Sequence, residues 1–135
     1  MNNIKCVLFD LDGTLADTSK DMCDCLNIIL ERRTLKKVDC FELKFHISRG
    51  VVGIIEYASY VNGRSVDSSL MRTEFLEDYK KNCTTKTELV PGMDFLLSEL
   101  ENMSIQWGVV TNKHYKFASK IIAVSYTHLT LPTNA

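Results

Sequence analysis

The sequence predicts an α/β fold in which a parallel sheet is interrupted, directly after its first strand, by an all-α insertion. Three observations point to it. Residues 4–9 form a short apolar run with β-branched members that stops abruptly at Asp10-Leu11-Asp12-Gly13, as a buried parallel strand does where it delivers a loop at its carboxyl end. Residues 20–84 then show helical spacing. Strand character returns only at residues 105–110.

Each element has its own signal. After Asp17-Thr18-Ser19, residue types suited to capping, Met22, Cys25, Leu26, Ile29 and Leu30 recur at i, i+3, i+4, i+7 and i+8 and predict an amphipathic helix. Val51, Val52, Ile55 and Ala58 predict a second apolar stripe. Leu70, Met71, Phe75 and Tyr79 predict a third, after the Asp67-Ser68-Ser69 cap. Between the first two, His46-Ile47-Ser48-Arg49-Gly50 breaks the helical period. Pro91-Gly92 then opens a helix carrying Phe95, Leu96 and Leu100. In the second strand Trp107 alternates with Ile105 and Val109, which marks it as core, and a last helix carries Phe117, Ala118, Ile121 and Ile122. Two parallel strands joined by a helix form a βαβ-type core whose functional loops lie at the carboxyl ends of the strands. The loops after Phe9 and Val110 are therefore expected side by side.

Composition narrows the function classes. With 135 residues, 45% of them hydrophobic, the chain suffices for one compact unit, or one with a small appendage. Sixteen Lys and Arg against 17 Asp and Glu leave a net charge of −1, too little to attract nucleic acid or an anionic membrane. The apolar runs fall well short of the roughly 20 residues that span a bilayer. The N-terminal stretch before Asp10 is too short for a secretory signal, so a cytoplasmic location is expected. The five cysteines are odd in number and contain no C-x-x-C pair, which predicts reduced thiols rather than a disulfide framework or a zinc ribbon. Cys23 and Cys25 are expected on different faces of their helix.

The chemistry concentrates in the two loops. A carboxylate can attack a phosphoryl group when a cation neutralises its charge, and Asp10 is placed for that attack. Asp12, two residues on, can face the same cleft and hand a proton to a leaving alkoxide. Gly13 lets the backbone bend around phosphate oxygens, with Thr14 adding a hydroxyl. At the second loop Thr111 offers a hydroxyl and amides near a helix start, the usual way to hold an anion, and Asn112 and Lys113 add donors.

The longer strings say more. Val7-Leu8-Phe9-Asp10-Leu11-Asp12-Gly13-Thr14-Leu15, followed by Asp17, resembles the first motif of the haloacid dehalogenase superfamily, and Val109-Val110-Thr111-Asn112-Lys113 resembles its second. Leu89-Val90-Pro91-Gly92-Met93, then a helix, then Trp107-Gly108-Val109-Val110-Thr111-Asn112-Lys113 looks like the phosphoglycolate phosphatase branch, whose helical cap follows the first motif. The resemblance implies a Rossmann-like core from residues 1–19 and 85–124 and a cap from residues 20–84. It also implies Mg2+ as cofactor and a small phosphorylated metabolite as partner. Asp10 would be nucleophile and metal ligand. Asp12 would be general acid and base, with its backbone carbonyl on the metal. Gly13, Thr14, Thr111 and Asn112 would hold phosphate. Arg49 lies where relatives place a specificity loop and could pair with a second anionic group of the substrate.

The family adds a later acidic motif and a lysine, neither of which is matched here. Every Asp and Glu lies at or before Glu101, and Lys116 and Lys120 read as surface residues on the last helix. Residues 125–135 continue no helical or strand period and match nothing in the family, so they are expected to be a non-native tail on a fragment with little activity of its own. The stretch from Arg72 to Tyr79, Cys83 and the second motif also resemble N-acetylmuramate 6-phosphate phosphatase. A sugar-phosphate mutase of the same superfamily and a non-catalytic helical binding module are the other expectations.

Overall fold

The computed structural model describes residues 3–125. Along the chain come strands β1 (Cys6–Phe9) and β2 (Ala16–Asp17), then helices α1 (Ser19–Arg32) and α2 (Cys40–Leu43). A 3-10 turn (Lys44–Arg49) leads into α3 (Gly50–Asn62) and α4 (Ser68–Asn82). Strand β3 (Glu88–Leu89), helix α5 (Met93–Asn102), strand β4 (Gln106–Val109) and helix α6 (Tyr115–Ser125) follow. The chain divides into two compact units, Met1–Asp17 with Glu88–Ala135, and Thr18–Thr87. Of residues 125–135, all but Ser125 lie outside the described residues.

In the first unit β1 and β4 pair in parallel, Cys6 opposite Gln106 through Phe9 opposite Val109. The ladder runs on past both ends, where Gln106 N donates to Lys5 O at 3.0 Å and Val110 N to Phe9 O at 2.8 Å. A two-residue antiparallel pair, β2 with β3, lies beside it in sequence and was not foreseen, because two residues are too few to show a period. Phe9, Leu11, Leu15, Leu97, Trp107 and Ile121 form the centre of the core, with Phe9 and Trp107 edge to face at 6.4 Å. Helix α5 turns a different stripe inward from the one expected. Phe95 is 70% exposed, whereas Leu97 is fully buried. Because the helix starts at Met93, the inward row is Met93, Leu97 and Leu100, spaced i, i+4 and i+7. Strand β1 was expected to be buried on both faces, but only Phe9 is buried; Leu8, on the opposite face, is 64% exposed.

The second unit is all-helical apart from its turns, with α1 packed on α2 and α4, and α3 on α4 and the 3-10 turn. The α1 stripe is buried as predicted, as are Met71, Phe75 and Tyr79 of α4. Asp67 caps α4 by accepting from Leu70 N at 3.1 Å. Helix α1 begins after Thr18 with no such side-chain cap. Gly53 is fixed by close approach: a Cβ there would collide with the carbonyl oxygen of His46 in the 3-10 turn. Asp21, 2% exposed, accepts from Lys86 N, from Thr87 N at 2.9 Å and from Thr87 Oγ1 at 2.8 Å, so its buried charge is fully met by donors from the far end of the unit.

The cysteine expectation is corrected. Cys23 of α1 and Cys40 of α2 form a disulfide, while Cys6, Cys25 and Cys83 are free. The cause is tertiary. Asn27 Nδ2 donates to Val38 O at 3.1 Å and Asn27 Oδ1 accepts from Val38 N at 2.8 Å, folding residues 38–40 back onto α1 one turn from Cys23. Cys23 and Cys25 do lie on different faces. Burial, aided by the negative charges of Asp78, Asp21 and Asp24, pushes the Cys25 thiol up to about 12.

Candidate active site

Asp10 is the first residue beyond β1 and is exposed. The chain then closes on itself within six residues. Gly13 N donates to Ala16 O at 2.8 Å, Leu15 N to Asp10 O at 3.2 Å and Ala16 N to Leu11 O at 3.1 Å. Gly13 reverses the chain at φ 79°, a conformation that L side chains rarely adopt. Leu11 and Leu15, both fully buried, pin this turn to the core. Asp10 Oδ1 accepts from Leu11 N at 2.9 Å, which orients the carboxylate at the strand end.

The second loop is built as tightly. Thr111 follows the end of the β4 ladder, and its Oγ1 accepts from Lys113 N at 3.0 Å, closing a short side-chain turn before α6. A hydroxyl that accepts this bond keeps its own proton to donate. Lys113 Nζ donates to Asp12 Oδ1 at 2.7 Å, with the two side chains 9% and 15% exposed. The parallel pairing thus sets the loop of Asp10, Asp12, Gly13 and Thr14 beside the loop of Thr111, Asn112 and Lys113. The sequence marks Lys113 only as an extra donor. Its place two residues after Thr111, on the strand paired with β1, is the sequence signal for its contact with Asp12.

The oxygen donors of Asp10 and Asp12 suit a hard cation such as Mg2+, which takes one or two carboxylates and fills its octahedron with water and phosphate oxygens. They fit in kind and fill part of the set. Among the described residues no group of three or more His, Cys, Asp and Glu converges on a metal position.

Arg49 belongs to the other unit. It ends the 3-10 turn, exposed, and its guanidinium forms a two-point pair with Glu56, Nη1 to Oε2 at 2.5 Å and Nη2 to Oε1 at 3.3 Å. It borders an open hollow of about 570 Å³ together with Phe45, His46, Tyr57 and Tyr60. His46 stacks on Tyr57 at 4.2 Å. Desolvation and the carboxylates of Glu42 and Asp39 hold the Tyr57 phenol above its usual range.

A carboxylate at the end of a parallel strand, a second acid two residues on, a hydroxyl loop on the adjacent strand and an all-helical unit inserted in the chain between the two strands define an α/β core with a helical insertion. The model of the haloacid dehalogenase-like hydrolases matches residues 7–128, and the chain belongs to that family. It is 36% identical over 119 residues to N-acetylmuramic acid 6-phosphate phosphatase of Pseudomonas putida, covering 88% of this chain and 53% of the relative. It is 32% identical over 118 residues to phosphoglycolate phosphatase of Xanthomonas campestris, covering 87% and 53%. The chain thus spans about half the length of the curated relatives it matches. Among solved structures, a protein described as a "predicted phosphoglycolate phosphatase" from Haemophilus somnus superposes with a TM-score of 0.79 at 23% identity, over 93% of this chain and 59% of the other. CbbY of Rhodobacter sphaeroides, solved with phosphate, gives 0.65 at 19% identity over 93% and 58%. At such identities these structures establish the fold alone. Among the described residues no helix is long and apolar enough to cross a membrane.

Proposed function

We propose that the complete protein is a Mg2+-dependent phosphomonoesterase acting on a small phosphorylated metabolite through an aspartyl-phosphate, in the cytoplasm. The observation that carries this reading is the placement of Asp10 and Asp12 at the carboxyl end of β1, facing the Thr111 loop across the parallel pair. Asp10 would attack phosphorus while the ester P–O bond breaks and the departing oxygen takes a proton from Asp12. Water would then bond to phosphorus as Asp12 takes its proton back and the Asp10–phosphorus bond breaks. The amides of Gly13 and Thr14, with the Thr111 hydroxyl and Asn112, would hold the phosphoryl oxygens. When bound, Mg2+ neutralises the charge on the attacking carboxylate and the phosphoryl group; Asp10, through its carboxylate, and Asp12, through its carbonyl, would hold it.

Phosphoglycolate is the first substrate proposed. The 36% identity to the N-acetylmuramic acid 6-phosphate enzyme supports that ester as the second. Both molecules carry a carboxylate besides the phosphate, which suits a guanidinium such as Arg49, able to exchange Glu56 for a substrate carboxylate. A panel of phosphate esters offered to the full-length gene product with and without Mg2+ tests the proposal. Metal-dependent phosphate release, fastest on a carboxylate-bearing ester, supports it, and no release from any ester rejects it. Arg49→Ala should weaken phosphoglycolate more than an aryl phosphate; equal effects remove Arg49 from the site.

A further inference from the structure

The ion pair between Lys113 and Asp12 differs in kind from the others described. Arg32–Asp78, Lys37–Glu31, Lys86–Asp24 and Arg49–Glu56 each have at least one partner more than half exposed, and Arg33–Glu74, at 23% and 33%, is still more open than Lys113–Asp12. Pairs exposed in this way are screened by solvent and do little to fix a side chain. Lys113 and Asp12 are 9% and 15% exposed and meet at 2.7 Å. Both ends of the contact are anchored: Lys113 by the bond from its backbone N to Thr111 Oγ1, Asp12 by the turn pinned through Leu11 and Leu15. Between them runs the ladder that ends at Val110 N and Phe9 O. Strand pair, side-chain turn and ammonium form one closed ring, and a lysine held in this way fixes the orientation of the carboxylate it touches.

We infer that Lys113 is a positioning residue for Asp12, holding its carboxyl through Oδ1 in one orientation from which it exchanges protons with the leaving group and then with water. The inference rests on the proposed role of Asp12 as general acid and base. Proton transfer requires heavy atoms within about 2.6–3.2 Å and in line, and a carboxyl free to rotate about Cβ–Cγ satisfies this for only part of the time. In the first half-reaction the Asp10–phosphorus bond forms as the ester P–O electron pair goes to the leaving oxygen, which takes the proton from the Asp12 carboxyl. In the second, the water oxygen bonds to phosphorus, the Asp10–phosphorus bond breaks, and the Asp12 carboxylate takes one proton from that water.

The experiment compares Lys113→Met, Lys113→Arg, Asp12→Ala, the double variant Asp12→Ala/Lys113→Met, and Asp10→Asn in the full-length gene product. The substrates are phosphoglycolate, whose alkoxide must be protonated to leave, and p-nitrophenyl phosphate, whose phenolate leaves without help. Lys113→Met is expected to lower kcat/KM for phosphoglycolate about tenfold or more and to change p-nitrophenyl phosphate less than about threefold. The inhibition constant of inorganic phosphate should be unchanged, Lys113→Arg should recover part of the loss, and the double variant should be no worse than Asp12→Ala. Equal losses on both esters with weaker phosphate inhibition would make Lys113 a phosphate holder and overturn the inference. Equal losses with a lowered Tm, or additive losses in the double variant, overturn it as well. Asp10→Asn separates the two levels: activity surviving that change rejects the aspartyl-phosphate reading itself, whatever Lys113 does.

Discussion

Asp10 and Asp21 are the same residue type in different units, and their surroundings differ sharply. Asp21 is 2% exposed and its oxygens are taken by the amides of Lys86 and Thr87 and the Thr87 hydroxyl. Asp10 is exposed at a strand end, and the bond from Leu11 N orients its carboxylate without burying it. A buried carboxylate surrounded by backbone donors has its lone pairs committed to the fold. An exposed one, set on a turn pinned to the core, leaves them open to solvent, as the role proposed for Asp10 requires. Polarity alone does not separate structural from chemical acids; what separates them is where the donors come from.

The sharpest way to break this contrast is to remove each carboxylate in turn. Asp10→Asn in the full-length gene product is expected to lower phosphate release by more than about a thousandfold while leaving Tm within about 2 °C, since the amide keeps the shape and the bond from Leu11 N. A steady-state phosphate assay paired with thermal melting measures both. Asp21→Ala is expected to do the reverse and cost about 3 kcal/mol of stability in urea unfolding, because the amides of Lys86 and Thr87 lose a charged acceptor. A stability loss at Asp10 as large as at Asp21 would erase the distinction.

The first unit was the more legible of the two in the sequence. Its strands and loops are local events: an apolar run, an abrupt Asp10-Leu11-Asp12-Gly13, and Thr111 after a second run. What escaped there depended on phase or on pairing. The inward row of α5 is set by where the helix starts, so Phe95 and Leu97 exchanged roles. The contact from Lys113 to Asp12 exists only once β1 and β4 lie side by side. In the second unit the helical stripes were readable, but its fastenings were not. Asp21 reaches Lys86 and Thr87, and Cys23 reaches Cys40, across stretches of chain whose return depends on packing.

The disulfide sharpens the comparison further, because the first unit contains no counterpart among its described residues. With the protein unfolded in denaturant without reductant, three thiols should react with a colorimetric reagent, Cys6, Cys25 and Cys83, and five after reduction. Cys40→Ser should lower stability by about 2–3 kcal/mol, the amount expected for closing a loop of this length. Five reactive thiols before reduction would return the pair to the dithiol state that a cytoplasmic setting favours.

The smallest expected effect concerns Cys25, which is 2% exposed on the face of α1 opposite the disulfide and surrounded by the charges of Asp78, Asp21 and Asp24. Its folded thiol is pushed from 9.0 up to about 12, so in alkaline solution the unfolded chain loses this proton first. Deprotonation then favours the unfolded state. The contribution of Cys25 to stability is complete below about pH 9 and is lost as pH rises toward 12. Lysines and tyrosines titrate in the same range, so the informative quantity is the difference between the parent and Cys25→Ala, followed by urea unfolding from pH 7 to 10.5. That difference should be constant up to about pH 8 and shrink above it, because alanine has no proton to lose. A difference that stays constant over the whole range would mean that the folded unit admits the thiolate, and that burial in the helical unit is looser around Cys25 than around Asp21.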